Sequence, residues 1–377
     1  MDGLVSSFDK KMKTIVVSAV NLRKGGTLTI LRDCLEYLSG LAAIGEYRVV
    51  ALVHKKELAL YPHIEYIELP WAVRNWGLRL WCEYVTMLGI SKKLQPVYLW
   101  LSLHDTTPRV KARRQSVYCQ TSFPFLKWRL QDLRFDYKIV LFALFTRYVY
   151  RINMKRNFMF IVQAEWLRLK FSNMLGLSES HFIVFPPKLD KKNEVSVRKE
   201  EAGFIFLFAS TPDCHKNFEI VCCAAGLLED EIGKGRFKVI LTISGNENKY
   251  AQWLYNRWQH IDSIKFAGFM SREKLYETYA KTDCLIFPSR VETWGLPISE
   301  FAAFDKPMLL ADLPYAYETA AGSKKTAFFD VEHPEELKRM MKRLVLNDRS
   351  FLKSVPEQKI EKPVAKNWAE LFGLLLS

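Results

Sequence analysis

Cys284-Leu-Ile-Phe287 is short and wholly apolar, and Pro288-Ser-Arg-Val-Glu-Thr-Trp294 after it is mostly polar. Gly295-Leu-Pro-Ile-Ser-Glu300 then opens a helix, because proline is favoured at the first helical positions, where its missing N–H costs nothing. The stretch therefore reads as a buried strand, a polar loop and a helix continuing over 298–303. A strand handed to a helix in this way is the repeating step of a parallel, doubly wound sheet.

The same alternation extends on both sides. Strands are expected over 203–209, 237–244, 264–266 and 307–311, with helices over 217–228, 251–257, 274–282 and 335–346. The stretch 190–201 has no apolar periodicity and reads as a linker. Before it the pattern runs a first time, with strands over 14–19, 47–53, 66–69, 97–102, 116–119 and 158–162. A helix over 27–38 carries Leu28, Leu31, Leu35 and Leu38 on one face. The expected fold class is α/β, with two Rossmann-like doubly wound domains facing across a cleft. The first spans 1–187, joined by a C-terminal helix over 364–377; 188–202 links it to the second, 203–363. Ligands of such sheets bind at the carboxyl ends of the strands.

A length of 377 residues agrees with two domains, and 49% hydrophobic with 25% charged residues excludes a disordered or coiled-coil chain. Apolar runs such as 139–145 fall far short of the ~20 residues of a membrane span. With no signal-peptide pattern at the start, a cytoplasmic protein is expected. Seven cysteines, an odd number with Cys222 and Cys223 adjacent and no Cys-x-x-Cys spacing, argue against disulfides or structural zinc. The absence of Asp-x-Asp predicts that no metal is used, and no glycine-rich P-loop or dinucleotide fingerprint occurs. The net charge of +14 is uneven: residues 1–187 hold 27 Lys and Arg against 14 Asp and Glu, a net of +13. Such asymmetry points to an anionic partner.

Chemistry concentrates in 287–300. Glu292 lies in the loop, Glu300 is expected in the first turn of the helix, and the N–H groups of Gly295 and Leu296 suit a phosphate. Two acceptor-only carboxylates flanking an anion site fit a phosphate between two polyhydroxylated rings, which is a sugar nucleotide.

At these residues the sequence resembles the retaining glycosyltransferases of the GT-B fold, family four, whose Glu-x7-Glu motif Glu292 and Glu300 match. Phe266-Ala-Gly-Phe-Met-Ser-Arg-Glu-Lys-Leu275, the run Tyr279 to Pro288, Gly25-Gly26 and His215-Lys216-Asn217 resemble further family segments. The resemblance implies that Glu300 holds the donor ribose, Glu292 contacts the donor sugar, and Lys216 with Gly295 and Leu296 neutralises the leaving diphosphate. It further places Thr293, Trp294, Asn217, Gly245, Phe269, Met270, Gly25 and Gly26 on the donor side. Two departures stand out. The arginine often found before the phosphate lysine is missing from Ser210-Thr-Pro-Asp-Cys214, leaving Arg290, Arg23 or Lys24 to supply that charge. The histidine near the donor sugar is replaced by Gln120, with His104 at another strand end as the nearby imidazole. Gln120 can bond a hydroxyl but cannot take a proton.

The implied donor is a UDP- or GDP-sugar, and the implied acceptor is lipid-linked or an oligosaccharide of surface-polysaccharide (LPS, O-antigen or capsule) synthesis. No cofactor is expected. Cations interleaved with rings at Arg74-Asn-Trp76, Arg79-Leu-Trp81, Lys127-Trp-Arg129 and 138–156, around Tyr148 and Tyr150, suit an anionic membrane surface. Two other readings are a sugar-nucleotide epimerase, which would turn over without an acceptor, and a basic nucleic-acid-binding protein. The second lacks any helix-turn-helix, RRM or zinc signature, so no nucleic acid is expected.

Overall fold

Every strand expected from an apolar run forms, and all of them pair in parallel. The structure is a computed structural model that describes residues 12–188 and 203–377, so the expected linker lies, but for Lys188, outside the described residues. The first sheet contains β1 (Lys13–Ala19), β2 (Tyr47–Val53), β3 (Ile64–Glu68), β4 (Val97–Ser102), β5 (Arg114–Cys119), β6 (Met159–Val162) and β7 (Phe182–Val184). Its order is β3-β2-β1-β4-β5-β6-β7. The second contains β8 (Phe204–Phe208), β9 (Phe237–Leu241), β10 (Ile264–Phe266), β11 (Cys284–Phe287), β12 (Met308–Ala311) and β13 (Thr326–Phe329). Its order is β10-β9-β8-β11-β12-β13. In each sheet the winding reverses beside its first strand, between β1 and β4 and between β8 and β11. At such a switch point the two outgoing loops diverge and leave a crevice.

The connections are helical: α1 (Gly25–Ala43), α2 (Trp76–Trp81), α3 (Met87–Lys93), α4 (Leu130–Arg151) and α5 (Glu165–Leu175) serve the first sheet region. The second has α6 (Phe218–Ile232), α7 (Lys249–Trp258), α8 (Arg272–Lys281), α9 (Leu296–Ala302), α10 (Pro314–Thr319) and α11 (Pro334–Val345), and α12 (Trp368–Leu376) ends the chain. Helix α1 starts at Gly25, two residues before the expected start, and runs five past Leu38. Helix α4 is broken at Asp136, whose extended backbone (φ −149°) lets its side chain accept from the N–H of Lys138 (3.0 Å) and start a second segment. Unforeseen were β7, β13 and α10, each only three to six residues long and too brief for a periodicity.

The chain divides into two units, one comprising Met1–Thr121, Arg147–Pro186 and Ile360–Ser377, the other Ser122–Thr146 and Pro187–Lys359. The expected boundary at 187 is thus corrected in one respect: 122–146 belongs to the second unit. The reason is polar anchoring, since Asp132 and Arg129 pair with Arg290 and Glu219 there. In the first unit one sheet face, with Ile15, Val17 and Leu101, packs against Leu31, Leu35 and Leu38 of α1 and Leu371, Phe372 and Leu375 of α12. Tyr37 of α1 stacks on Phe372 at 5.4 Å. Each such buried side chain contributes about 1.5–3 kcal/mol, which holds the C-terminal helix on this unit. The other face buries Val16, Val50 and Trp100 against Ala72, Cys82 and Met87. All seven cysteines are free thiols and six are buried.

Candidate functional site

Strands β8 and β11 are direct neighbours, with Phe206 opposite Cys284 and Leu207 opposite Leu285. Their loops therefore leave the sheet side by side at the switch point of the second unit. The loop after β8 closes in a short turn, Cys214–Lys216, and Asn217 takes a left-handed conformation (φ +62°) to start α6. The loop after β11 carries Glu292. The two meet: Lys216 Nζ donates to Glu292 Oε1 at 2.6 Å, across 76 positions of sequence. Both side chains are largely but not fully covered, at 14% and 12% exposure. The ion pair stands at the carboxyl ends of the two central strands.

Gly295 ends the same loop. It is buried with φ +92°, a backbone that favours glycine, and a Cβ there would sit 3.3 Å from Ile298 Cδ1. Helix α9 begins at Leu296, so Glu300 lies in the second turn and not, as expected, in the first. Its carboxylate, 13% exposed, accepts from the Tyr279 hydroxyl at 3.2 Å and lies 3.6 Å from the Arg272 guanidinium. Burial, and then the Glu300 charge, push the Tyr279 hydroxyl well above its ordinary pKa, so it stays a donor to that carboxylate. Trp294 is half-buried and donates from Nε1 to Ser299 (2.9 Å), and Thr293 is half-buried beside it. Leu296 is exposed, Phe269 is 88% exposed, and Met270 is half-buried, its sulfur accepting from Thr278.

Three further donor-side positions are held by internal contacts. Arg290 is no free cation: it is buried and forked onto Asp132 (2.6 and 3.0 Å), with the Lys127 and Cys214 carbonyls taking further N–H groups. The carboxylate neutralises it. Asn217 is fully buried; its amide donates to the Pro288 and Val331 carbonyls and its oxygen accepts from Arg129. It fastens the turn that presents Lys216. Gly245 is buried at φ +100°, where a Cβ would lie 2.5 Å from Tyr255 Cβ, so its glycine is required by the packing of α7.

The remaining expected residues lie in the first unit. Gly25 and Gly26 are exposed in the first turn of α1, not in the preceding loop, and only Gly25 (φ +62°) needs glycine's freedom. Arg23 and Lys24 are exposed beside them. His104, expected to face a cleft, is 2% exposed and locked inward. Its ring nitrogens lie 3.1 Å from the Ser18 and Thr106 hydroxyls, and 3.4 Å from the buried Glu83 carboxylate. Burial, with the nearby Arg79 charge, holds its pKa well below 6.5, so it is a neutral packing residue. Gln120 is half-buried; Nε2 donates to the Leu103 carbonyl (2.8 Å) while Oε1 is buried without a partner. Asp105 anchors this loop, accepting from the Gln120 and Thr121 N–H groups and the Tyr150 hydroxyl. Among the described residues no group of three or more His, Cys, Asp or Glu side chains is placed to hold a metal ion.

Residues 190–361 match the family model of glycosyl transferases group 1. This segment is thus similar to the glycosyl transferases of group 1. It contains the whole second sheet with Lys216, Glu292 and Glu300. No curated protein matches the chain in sequence. Solved structures share its fold over nearly the full length. Sucrose-phosphate synthase from Thermosynechococcus elongatus has a TM-score of 0.64 at 13% identity, covering 91% of this chain and 92% of its own. WaaG, a glycosyltransferase involved in lipopolysaccharide biosynthesis, gives 0.61 at 13% identity (88% and 90%). HepE from Anabaena, in complex with UDP-glucose, gives 0.58 at 13% identity (89% and 90%). The two-sheet architecture is thus that of GT-B glycosyltransferases. Within residues 190–361, sequence reading missed Tyr279 as the partner of Glu300, although it opens the quoted 279–288 run. It also missed Asp132, whose pairing across 158 positions leaves no local signal.

Proposed function

We propose that the protein is a retaining, metal-independent glycosyltransferase that moves a sugar from a UDP- or GDP-sugar to a hydroxyl of a lipid-linked or oligosaccharide acceptor in surface-polysaccharide synthesis. The observation that carries this reading is the Lys216–Glu292 pair at the β8/β11 switch point. An ammonium and a carboxylate held half-open at strand ends can each be taken over by a ligand bearing both negative charge and hydroxyls. In the proposed complex Lys216 turns to the diphosphate, and Glu292 accepts from a hydroxyl of the donor sugar. Glu300, oriented by Tyr279, accepts from the ribose hydroxyls. Breaking the anomeric C–O bond leaves negative charge on the diphosphate, where a preorganised donor is worth about 3–4 kcal/mol. The acceptor hydroxyl attacks from the same face and its proton passes to a phosphate oxygen. The partnerless Gln120 Oε1 is suited to a sugar hydroxyl. The fold shared with HepE, solved with UDP-glucose, and with WaaG supports the reading. Peripheral association with an anionic membrane completes it; among the described residues no helix is long and apolar enough to cross one.

Calorimetric titration with UDP- and GDP-sugars tests the donor. Glu300→Gln should weaken binding about tenfold or more while melting is unchanged, since a hydrogen bond to a charged group is worth roughly 1.5–3 kcal/mol. Transfer should persist in excess EDTA. Unchanged donor affinity in the variant removes Glu300 from the site, and turnover restored only by added Mg²⁺ overturns metal independence.

A further inference from the structure

We infer that a hollow on the second unit, between α7 and residues 134–135, is a subsite for one acidic sugar residue of a glycan chain. The inference rests on the oligosaccharide acceptor proposed above and names its chemistry. The hollow, about 270 Å³, is lined by Arg134, Phe135, Lys249, Gln252, Trp253 and Asn256, all of the second unit. Its floor is fixed by packing. Tyr250 is 2% exposed, its hydroxyl accepting from the Phe218 N–H (2.9 Å) and donating to Glu219. Trp253 lies on Tyr250 with ring centroids 6.1 Å apart, and Phe135 meets Tyr250 at 5.3 Å and Trp253 at 5.1 Å. Phe135 is the last residue before the break of α4 at Asp136, and Asp132 and Gln131 fasten its segment to Arg290 and Glu219. On α7, Gln252, Trp253 and Asn256 follow Lys249 by three, four and seven positions, so the four share one helix face.

The polar groups define the ligand. Among the described residues Lys249, Gln252 and Asn256 form no side-chain hydrogen bond or ion pair, and Arg134 has only the Phe135 ring beneath its guanidinium (5.6 Å). The hollow thus offers two unneutralised cations, two amides that each donate and accept, and two half-buried rings. A second hollow beside it, about 320 Å³, shares Trp253 but is neutralised from within. There Arg129 pairs with Glu219 (3.2 Å) and Glu332 (2.7 Å), and Gln131 donates to Glu219 (2.7 Å). An acidic sugar answers every group of the first hollow. Its carboxylate or phosphate meets Arg134 and Lys249, its hydroxyls meet Gln252 and Asn256, and its C–H face lies on the negative π face of Trp253. Sites for drug-sized ligands run to about 300–1,000 Å³, so this hollow admits one ring and not a whole nucleotide.

The test is calorimetric titration of the full-length protein with a tetrasaccharide of alternating glucuronate and N-acetylglucosamine, with its carboxyl-reduced neutral counterpart, and with a thymidine oligonucleotide. The wild type should bind the acidic tetrasaccharide about fivefold or more tighter than the neutral one, since a charged partner roughly doubles a hydrogen bond's strength. Arg134→Gln/Lys249→Gln should bring that preference to within about twofold. Gln252→Ala/Asn256→Ala should weaken both tetrasaccharides about fivefold or more, because two neutral hydrogen bonds are lost. All four substituted side chains are exposed, and Trp253 stays in place on Tyr250, so thermal melting and sugar-nucleotide affinity should match the wild type. Wild-type protein that binds neither tetrasaccharide, or variants that bind both as the wild type does, overturn the subsite. Equal wild-type affinity for the two tetrasaccharides overturns its acidic ligand. An oligonucleotide bound more tightly than the acidic tetrasaccharide makes the hollow a nucleic-acid surface and overturns the subsite as well. Titration of the same samples with UDP- and GDP-sugars keeps the two readings apart. Absent donor binding sinks the transferase, whereas absent tetrasaccharide binding with the donor still bound sinks the subsite alone.

Discussion

The two switch points of this protein have the same topology and opposite chemistry. In the second unit the loops after β8 and β11 bring an ammonium and a carboxylate together, and each is the other's principal partner. In the first unit the loops after β1 and β4 fold inward over the same position. Ser18, Ser102, His104 and Thr106 bond one another around Glu83 and Arg79, and Trp100 donates to Ser18. That crevice is filled by the protein's own polar side chains. A doubly wound sheet therefore offers a site at its switch point without obliging the chain to use it. The two differ in access: the Lys216–Glu292 pair keeps 14% and 12% exposure, whereas the His104 and Glu83 side chains are sealed at 0% and 1%.

The contrast is broken most severely by removing the scaffold of the open site. Asp132 and Arg290 are 0% and 3% exposed, and Arg290 also ties the Cys214 carbonyl and, through its own N–H, that of His215 (2.8 Å). Asp132→Ala leaves a buried guanidinium without its carboxylate, which typically costs about 3–5 kcal/mol. Chemical denaturation should show that loss. A change within about 0.5 kcal/mol, the range of ordinary surface substitutions, would mean the pair does not hold the turn that presents Lys216. A second, more selective blow is Lys216→Met. It should leave melting nearly unchanged yet cut kcat/KM on the sugar nucleotide by roughly a hundred- to a thousandfold, the loss expected for one preorganised donor at developing charge. Equal losses of stability and turnover would make the Lys216–Glu292 pair a structural one.

Reading the chain alone goes far where the signal is local. Buried strands such as 97–102 and 284–287 and the helix-opening Gly295-Leu-Pro297 are written in consecutive residues, and Glu292 and Glu300 lie eight apart in one loop and helix. What is not legible is who neutralises whom. Arg290 looks like a free cation in its loop, and only the fold brings Asp132 to it. His104 looks like an exposed strand-end imidazole until Ser18, eighty-six positions away, is found against its ring. The same holds for Tyr148 and Tyr150: they are two residues apart in one basic run, but Tyr148 is 55% exposed while Tyr150 is buried on Asp105.

The smallest effect tests the closed switch point, and its sign follows from burial. In the unfolded chain His104 titrates near 6.5. In the folded protein desolvation, and then the Arg79 charge, hold it well below that value, so it stays neutral. Below about pH 6.5 the unfolded state therefore binds a proton that the native state does not, and stability falls as pH drops from there toward the folded value. Above that range the group contributes no slope. The limiting slope is about 1.4 kcal/mol per pH unit for one proton. His215, also buried and held low by desolvation and by Lys216 and Arg290, adds a second proton of the same sign. Asp105 and Glu219, raised by burial, work in the opposite direction, but equally in any variant that leaves them in place. His104→Gln should thus be shallower than the wild type by one proton in a calorimetric series between about pH 7.5 and 5, with turnover and donor affinity retained. An unchanged slope would mean that His104 titrates normally and the first switch point is open. A large loss of kcat with the slope unchanged would return His104 to the reacting groups and erase the difference between the two units.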